Sequence, residues 1–180
     1  MSKDNVVELI QKDGVYEEKK NEAKKEPTVV IIAPHPDDEI IGTYMILASS
    51  NPIIIYSGTT DVKRREEAHK LLDHVSVKAQ MFQMSIPPPL LNKNSLFYFP
   101  DPYFERHPIH RQYGMMGEQM ARGKMNVIFY TTNMNAPYIH EIPDSKGKED
   151  LLNKVYPSQR DLWKYEKKYV LFEGYNKWLF

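Results

Sequence analysis

An α/β domain with a mainly parallel sheet is the fold class this sequence predicts, on three observations. The short runs TVVIIA at Thr28–Ala33, IIIY at Ile53–Tyr56 and NVIFY at Asn126–Tyr130 are continuous and rich in β-branched residues. Runs of that length and composition read as strands buried on both faces. Between them lie segments whose apolar residues recur at helical spacing, and alternation of strand with helix implies a parallel sheet. At 180 residues, 41% hydrophobic and 27% charged, the chain is long enough to bury one sizeable core.

The elements follow in order. Residues 1–27 are dominated by charge, with mixed runs at Glu17–Lys20 and Lys24–Glu26. They read as an extension outside the domain at 28–180, with a short helix over Val6–Gln11 and then a solvated arm. After the strand at Thr28–Ala33, Ile40, Ile41, Tyr44, Met45 and Leu47 mark a helix that ends before Asn51-Pro52. The strand Ile53–Tyr56 precedes a second helix over Asp61–Val75, with Ala68, Leu71, Leu72 and Val75 on one face, and Ala79–Met81 reads as a third strand. The middle is irregular through Pro87-Pro88-Pro89, Asn92–Asn94 and FYFPDPYFERHP. A loop that long is functional or disordered, and its aromatic content argues against disorder. His110–Ala121 reads as a helix, Asn126–Tyr130 as a strand, and Lys148–Phe180 as a partly helical tail. The whole is expected to form a Rossmann-like three-layer sandwich, whose ligands bind outside the carboxyl ends of the strands.

Composition narrows the function. Lysine plus arginine and aspartate plus glutamate each number 24, so the formal charge is +0 and no net basic field gathers nucleic acid or an acidic membrane surface. The expected partner is a small molecule, with no nucleic acid and no membrane. The chain has 0 cysteines, which removes disulfides, thiolate metal sites and cysteine nucleophiles together. Residues 1–27 lack the apolar run of a signal peptide, and no segment approaches the roughly 20 apolar residues of a bilayer span. A cytoplasmic location is the expectation. Trp163, Tyr165, Trp178 and Phe180 read as core or as a homo-oligomer contact.

The chemistry concentrates in two clusters. Pro34-His35-Pro36-Asp37-Asp38-Glu39 places an imidazole and three carboxylates at the end of the first strand. His35 and Asp38, three apart across a strand-to-helix turn, can reach one metal while Asp37 lies free to take a proton. An acidic helix start explains the carboxylates through the helix dipole, but not a histidine between two prolines. Arg106-His107-Pro108-Ile109-His110, at the start of the later helix, offers two histidines three apart. These can supply one ligand and one acid, and spacing alone leaves open which is which. With no cysteine, a zinc site here must use nitrogen and oxygen, and a catalytic zinc needs about three protein ligands.

With these motifs the sequence resembles the LmbE-like, or PIG-L-type, N-acetylglucosaminyl deacetylase family. Pro34–Gly42 (PHPDDEIIG) resembles its zinc motif, Arg64–Ala68 (RREEA) its second, and Pro100–His110 (PDPYFERHPIH) its third. Asn126–Thr132 and Val155–Gln159 (VYPSQ) are similar to weaker features, so the resemblance spans about Thr28 to Arg160. It implies His35, Asp38 and His110 as zinc ligands, with Fe2+ or another divalent metal as a substitute. It further implies Asp37 as general base, His107 as the acid or oxyanion partner, and Arg64 as a shaper of the site or a substrate contact. Tyr98, Tyr103 and Phe104 read equally as a platform for a sugar ring, Tyr103 foremost, or as packing that pins the loop. The family usually carries aspartate between the two histidines of the third motif, where this chain has Ile109. An acidic neighbour would orient His107 and favour its protonated form, so weaker acid catalysis is expected unless a carboxylate such as Glu105 substitutes. The implied reaction is metal-assisted hydrolysis of an N-acetyl group on an amino sugar or its conjugate. The alternatives are another amide, such as an acylated nucleoside, antibiotic or amino acid, or a zinc-retaining binding protein.

Overall fold

The computed structural model describes residues 26–58, 61–133 and 135–177, together with the strands β1 (Leu9–Lys12) and β2 (Val15–Glu18). Those two strands pair antiparallel as a hairpin, so Leu9–Gln11 are extended and not helical as their sequence suggested. The rest of the expected helix lies outside the described residues, as do Trp178 and Phe180.

From Thr28 onward the order is β3 (Thr28–Ala33), α1 (Asp38–Ser49), β4 (Ile53–Tyr56), α2 (Val62–His69), β5 (Ala79–Phe82) and β6 (Ser95–Pro100). Then follow α3 (Pro108–Arg122), β7 (Asn126–Thr131), β8 (Tyr138–Glu141), α4 (Ser145–Val155), α5 (Arg160–Tyr165), α6 (Lys168–Leu171) and β9 (Phe172–Tyr175). Seven strands form one sheet in the order β5-β4-β3-β6-β7-β9-β8. The first five are parallel, and β9 and β8 close one edge antiparallel.

Alternation along the strands separates two helical layers. Ile31, Ala33, Ile54, Tyr56, Tyr98 and Tyr130 face a layer that includes residues of α1, α4, α5 and α6. Their neighbours Val30, Ile32, Ile53, Ile55, Phe97 and Phe99 face α3 through Tyr113, Met116 and Met120. Helices on both faces of a mostly parallel sheet are compatible with a Rossmann-like sandwich. Gly42 lets α1 lie against the sheet, because a β-carbon there would overlap the ring of Tyr130.

One expectation needs correction. The loop after Asn94 contains β6, which pairs with both β3 and β7 in the middle of the sheet. SLFYFP is an apolar strand whose flanking asparagines and prolines masked it. The tail is helical in part as expected, through α4, α5 and α6, and its strand β9 passes between β7 and β8. Trp163 is fully buried as expected, whereas Tyr165 is exposed. Among the described residues no helix is long and apolar enough to cross a membrane.

The topology also positions ligand chemistry. From β3 the chain moves outward through β4 and β5, then returns to lay β6 on the other side of β3. Such a reversal opens a crevice at the carboxyl ends of the two central strands. The His35 motif leaves β3 there, and the His107–His110 motif follows β6.

Candidate metal centre

Pro34 and Pro36 remove two backbone donors beside His35 and stiffen the turn. The remaining N–H of His35 donates to Asp38 Oδ2 at 2.8 Å, and the Asp38 N–H donates to the His35 carbonyl at 3.2 Å. The turn holds His35 Nδ1 3.3 Å from Asp38 Oδ2. From the other wall, His110 in the first turn of α3 brings Nε2 to 3.1 Å from His35 Nδ1 and 3.2 Å from Asp38 Oδ2. Three basic atoms so close in a buried place repel one another unless a proton or cation lies among them. A tetrahedral zinc with ligand bonds of about 2.0–2.1 Å separates its ligands by about 3.3–3.4 Å. The donor set and its spacing therefore fit a divalent cation.

His107 adjoins this triangle. The ring nitrogens of His35, His107 and His110 lie within 4.8 Å of one another, and that cluster could hold a metal ion. The two groupings share His35 and His110 and differ in the third member. Asp38 is buried and closes the tighter triangle, while His107 is exposed. His107 caps α3, its Nδ1 accepting the Ile109 N–H at 3.3 Å. In the neutral ring this leaves the proton on Nε2, a donor.

Loop packing aims His110. Asp101 starts the loop after β6, and its Oδ1 accepts the N–H groups of Tyr103 and Phe104 at 2.8 and 2.9 Å. The chain then delivers Glu105 to a buried position, where it accepts the Thr132 N–H, Thr132 Oγ1 at 3.1 Å and Asn133 Nδ2 at 3.2 Å. Glu105 Oε2 lies 3.4 Å from His110 Nδ1. Its hydrogen-bonding partner among the histidines is therefore His110, not His107, so the substitution for an aspartate beside His107 that the sequence left open is not made by a direct contact. Ile109 faces a neighbouring cavity beside Phe82, Met84 and Tyr113, so a side chain there points away from the cluster.

Electrostatics follows the same geometry. Burial lowers the pKa of His110, but the charge and hydrogen bond of Asp38, with Glu105 behind, push it up to about 10. Burial would raise Asp38, yet His110 and His35 hold it well below the usual carboxylate range. Burial, then the charges on His110 and His35, lowers His107. The Asp38–His110 pair thus attracts positive charge strongly, the condition a dication exploits.

Asp37 sits beside the triangle, buried, with φ 113, a left-handed value that costs a non-glycine residue energy. Its N–H donates to Glu39 Oε2 at 3.0 Å, and Arg64 Nη2 donates to its Oδ2 at 3.2 Å. Burial, and then the charge of Asp38, raises its pKa well above the ordinary value. Burial likewise pushes Glu39 up to about 7. Around these groups closes a segment the sequence marked only weakly. The Tyr156 hydroxyl donates to Glu39 Oε1 at 2.5 Å, and Arg64 Nη2 donates to Gln159 Oε1 at 2.5 Å. The Ser158 N–H and hydroxyl donate to Glu67 at 3.0 and 2.5 Å.

A cavity of about 390 Å³ collects His35, Asp37, Asp38, Arg64, His107 and His110. Tyr103 does not join them: it is 68% exposed, and its hydroxyl is bonded to Glu118 on α3. Tyr98 is buried in the core. His69 lies against Phe82 and His140 against Tyr175, away from the cavity, as structural histidines should. Tyr156, Ser158 and Gln159 escaped the sequence reading as contributors, their one signal being the VYPSQ motif. Compared with family models, curated proteins and solved structures, the chain matches none.

Proposed function

We propose that this chain is a zinc-dependent amide hydrolase of the LmbE-like, PIG-L-type kind, removing the acetyl group from an N-acetylated amino sugar or its conjugate. The observation that carries this reading is the triangle of His35 Nδ1, Asp38 Oδ2 and His110 Nε2, with sides of 3.1 to 3.3 Å and Asp37 beside it. His35, Asp38 and His110 would hold zinc, or another divalent metal such as Fe2+, which when bound supplies Lewis acidity toward an acyl oxygen and acidifies water.

The chain's own groups supply the proton traffic. Asp37, adjacent to Asp38 and restrained by Arg64 and Glu39, takes the proton of the attacking water. Its raised proton affinity makes it a stronger base than an exposed carboxylate. The C–O bond forms first and opens the carbonyl to a tetrahedral oxyanion; the carbonyl then re-forms as the C–N bond breaks, and a proton passed to nitrogen releases amine and acetate. His107 donates through Nε2, either to the oxyanion or to the departing nitrogen. Its Nδ1 is engaged by the Ile109 N–H. Burial and the neighbouring histidines outweigh the pull of Asp38 and Glu105 on its charged form, which makes it a modest acid and favours substrates whose amine leaves with little help. That point supports a second reading, an amide other than an acetylated sugar.

The test is acetate release from a panel of N-acetylhexosamines and their conjugates, with zinc and with chelator. Chelator-sensitive release on any member is expected, and none from zinc-loaded protein would overturn the deacetylase reading. Asp37→Asn is expected to lower turnover by roughly 10²–10⁴-fold with zinc still bound. Loss of the metal along with turnover would reassign Asp37 to the ligand set.

A further inference from the structure

The turn Tyr156-Pro157-Ser158-Gln159 follows α4, far along the chain from both motifs, yet three of its side chains end on charged residues of those motifs. Two of the three contacts converge on Asp37. Arg64 Nη2 carries two hydrogens, and its partners are Asp37 Oδ2 at 3.2 Å and Gln159 Oε1 at 2.5 Å. Glu39 divides its two oxygens between the Tyr156 hydroxyl and the Asp37 N–H. The carboxylate of Asp37 is thus held through Arg64, its strained backbone through Glu39, and both holders are gripped by one turn.

We propose that Tyr156 and Gln159 are positioning residues for Asp37, acting through Glu39 and Arg64. The proposal rests on the reading of Asp37 as the group that takes the proton of water. An arginine has many rotamers, and an ion pair that leaves it free is worth little. A second acceptor on the same nitrogen fixes the plane of the guanidinium and so the direction of its bond to Asp37. Likewise, a fully buried Glu39 with one oxygen unpaired would turn to find a partner, releasing the Asp37 N–H and the φ it sustains. Ser158 grips Glu67 in the same turn and touches neither holder; its Oγ also accepts Gln159 Nε2 at 3.2 Å, an exposed contact that water can replace, so Ser158→Ala serves as the control for the turn as a whole.

The experiment compares Gln159→Met, Gln159→Glu, Tyr156→Phe and Ser158→Ala in the full chain loaded with zinc. Gln159→Met is expected to lower kcat by roughly ten- to a hundredfold, with KM and zinc stoichiometry unchanged within about twofold. Gln159→Glu keeps an acceptor for Arg64 and is expected to recover kcat to within about threefold. Ser158→Ala is expected to lower the melting temperature while holding kcat within about twofold.

A second readout needs no turnover. In 15N NMR of the metal-free protein, Gln159→Met should average the Arg64 guanidinium signals. Tyr156→Phe should speed exchange of the Asp37 amide by roughly tenfold or more, with the β3 amides unchanged. Unaltered Arg64 signals and Asp37 exchange would overturn the proposal, as would a Ser158→Ala loss of kcat equal to that of Gln159→Met. If the wild-type chain hydrolyses no amide, the functional reading fails, and the NMR arm still decides the positioning.

Discussion

His110 shows how one side chain divides its work. Nε2 faces Asp38 at 3.2 Å, and Nδ1 faces Glu105 at 3.4 Å. A carboxylate behind a ligating imidazole fixes its orientation and raises its basicity. Glu105→Gln is therefore expected to weaken zinc binding by roughly 10–100-fold, read by competition with a chromophoric chelator. Unchanged affinity would mean that Glu105 only braces Thr132 and Asn133. Ile109 illustrates the converse. The residue between the two histidines packs in a different cavity from them, because neighbouring positions in the first turn of a helix point to different sides.

At the level of elements, α1 is bent where it leaves the His35 motif. Thr43 has φ −142 and ψ 29, which breaks the helix, and its hydroxyl donates to the Glu39 carbonyl at 2.6 Å. In an unbroken helix the Met45 N–H would bond the Ile41 carbonyl. Here Lys148 Nζ donates to that carbonyl at 2.6 Å, and Glu173 Oε1 accepts the Met45 N–H at 3.3 Å. The buried pair, itself 3.5 Å apart, replaces the missing backbone bond and keeps the bend satisfied. Lys148→Met should cost about 3–5 kcal/mol in denaturant unfolding, since it strands both a buried carboxylate and a carbonyl. A loss below about 1 kcal/mol would mean the bend is held by packing. Burial lowers the Lys148 pKa to about 8 from 10.5, Glu173 opposing. Between those values the unfolded chain binds the proton that the folded chain has released, so stability rises with pH. From pH 8 to 10 the gain is about 2 kcal/mol, and it should vanish in Lys148→Met. A flat wild-type profile there would contradict the assignment.

For the molecule as a whole, the cavity lies at the reversal of strand order between β3 and β6. Its walls come from the turns after β3, β6 and β7, the first turns of α1 and α3, Arg64 on α2, and Leu162 and Tyr169 from α5 and α6. Such a site exists only in the folded chain, so a metal bound there would be linked to stability. At free zinc 1,000-fold above Kd the gain is about 4 kcal/mol. For a chain of this size that raises the melting midpoint by about 8–16 °C, reversed by chelator, in differential scanning calorimetry. A midpoint indifferent to zinc would remove the metal centre from consideration.

The sequence alone marked β3, β4 and β7, whose β-branched runs need only their own residues to be read. It also determined that His35, Asp37 and Asp38 share one turn, because five residues pinned by two prolines cannot separate them. It left β6 hidden, since SLFYFP stands among asparagines and prolines that mark loops, and placed β9 inside a tail read as partly helical. Tertiary packing laid β6 against β3, which sets His110 opposite His35 across 75 residues of chain. It alone assigned Glu105 to His110, turned Ile109 aside, sent Tyr103 to the surface and brought Gln159 to Arg64. Propensity and periodicity are settled within a few residues, so they are legible in a string of letters. Which distant side chains meet is settled by the order of strands in a sheet and by packing in its crevice, and neither is written locally.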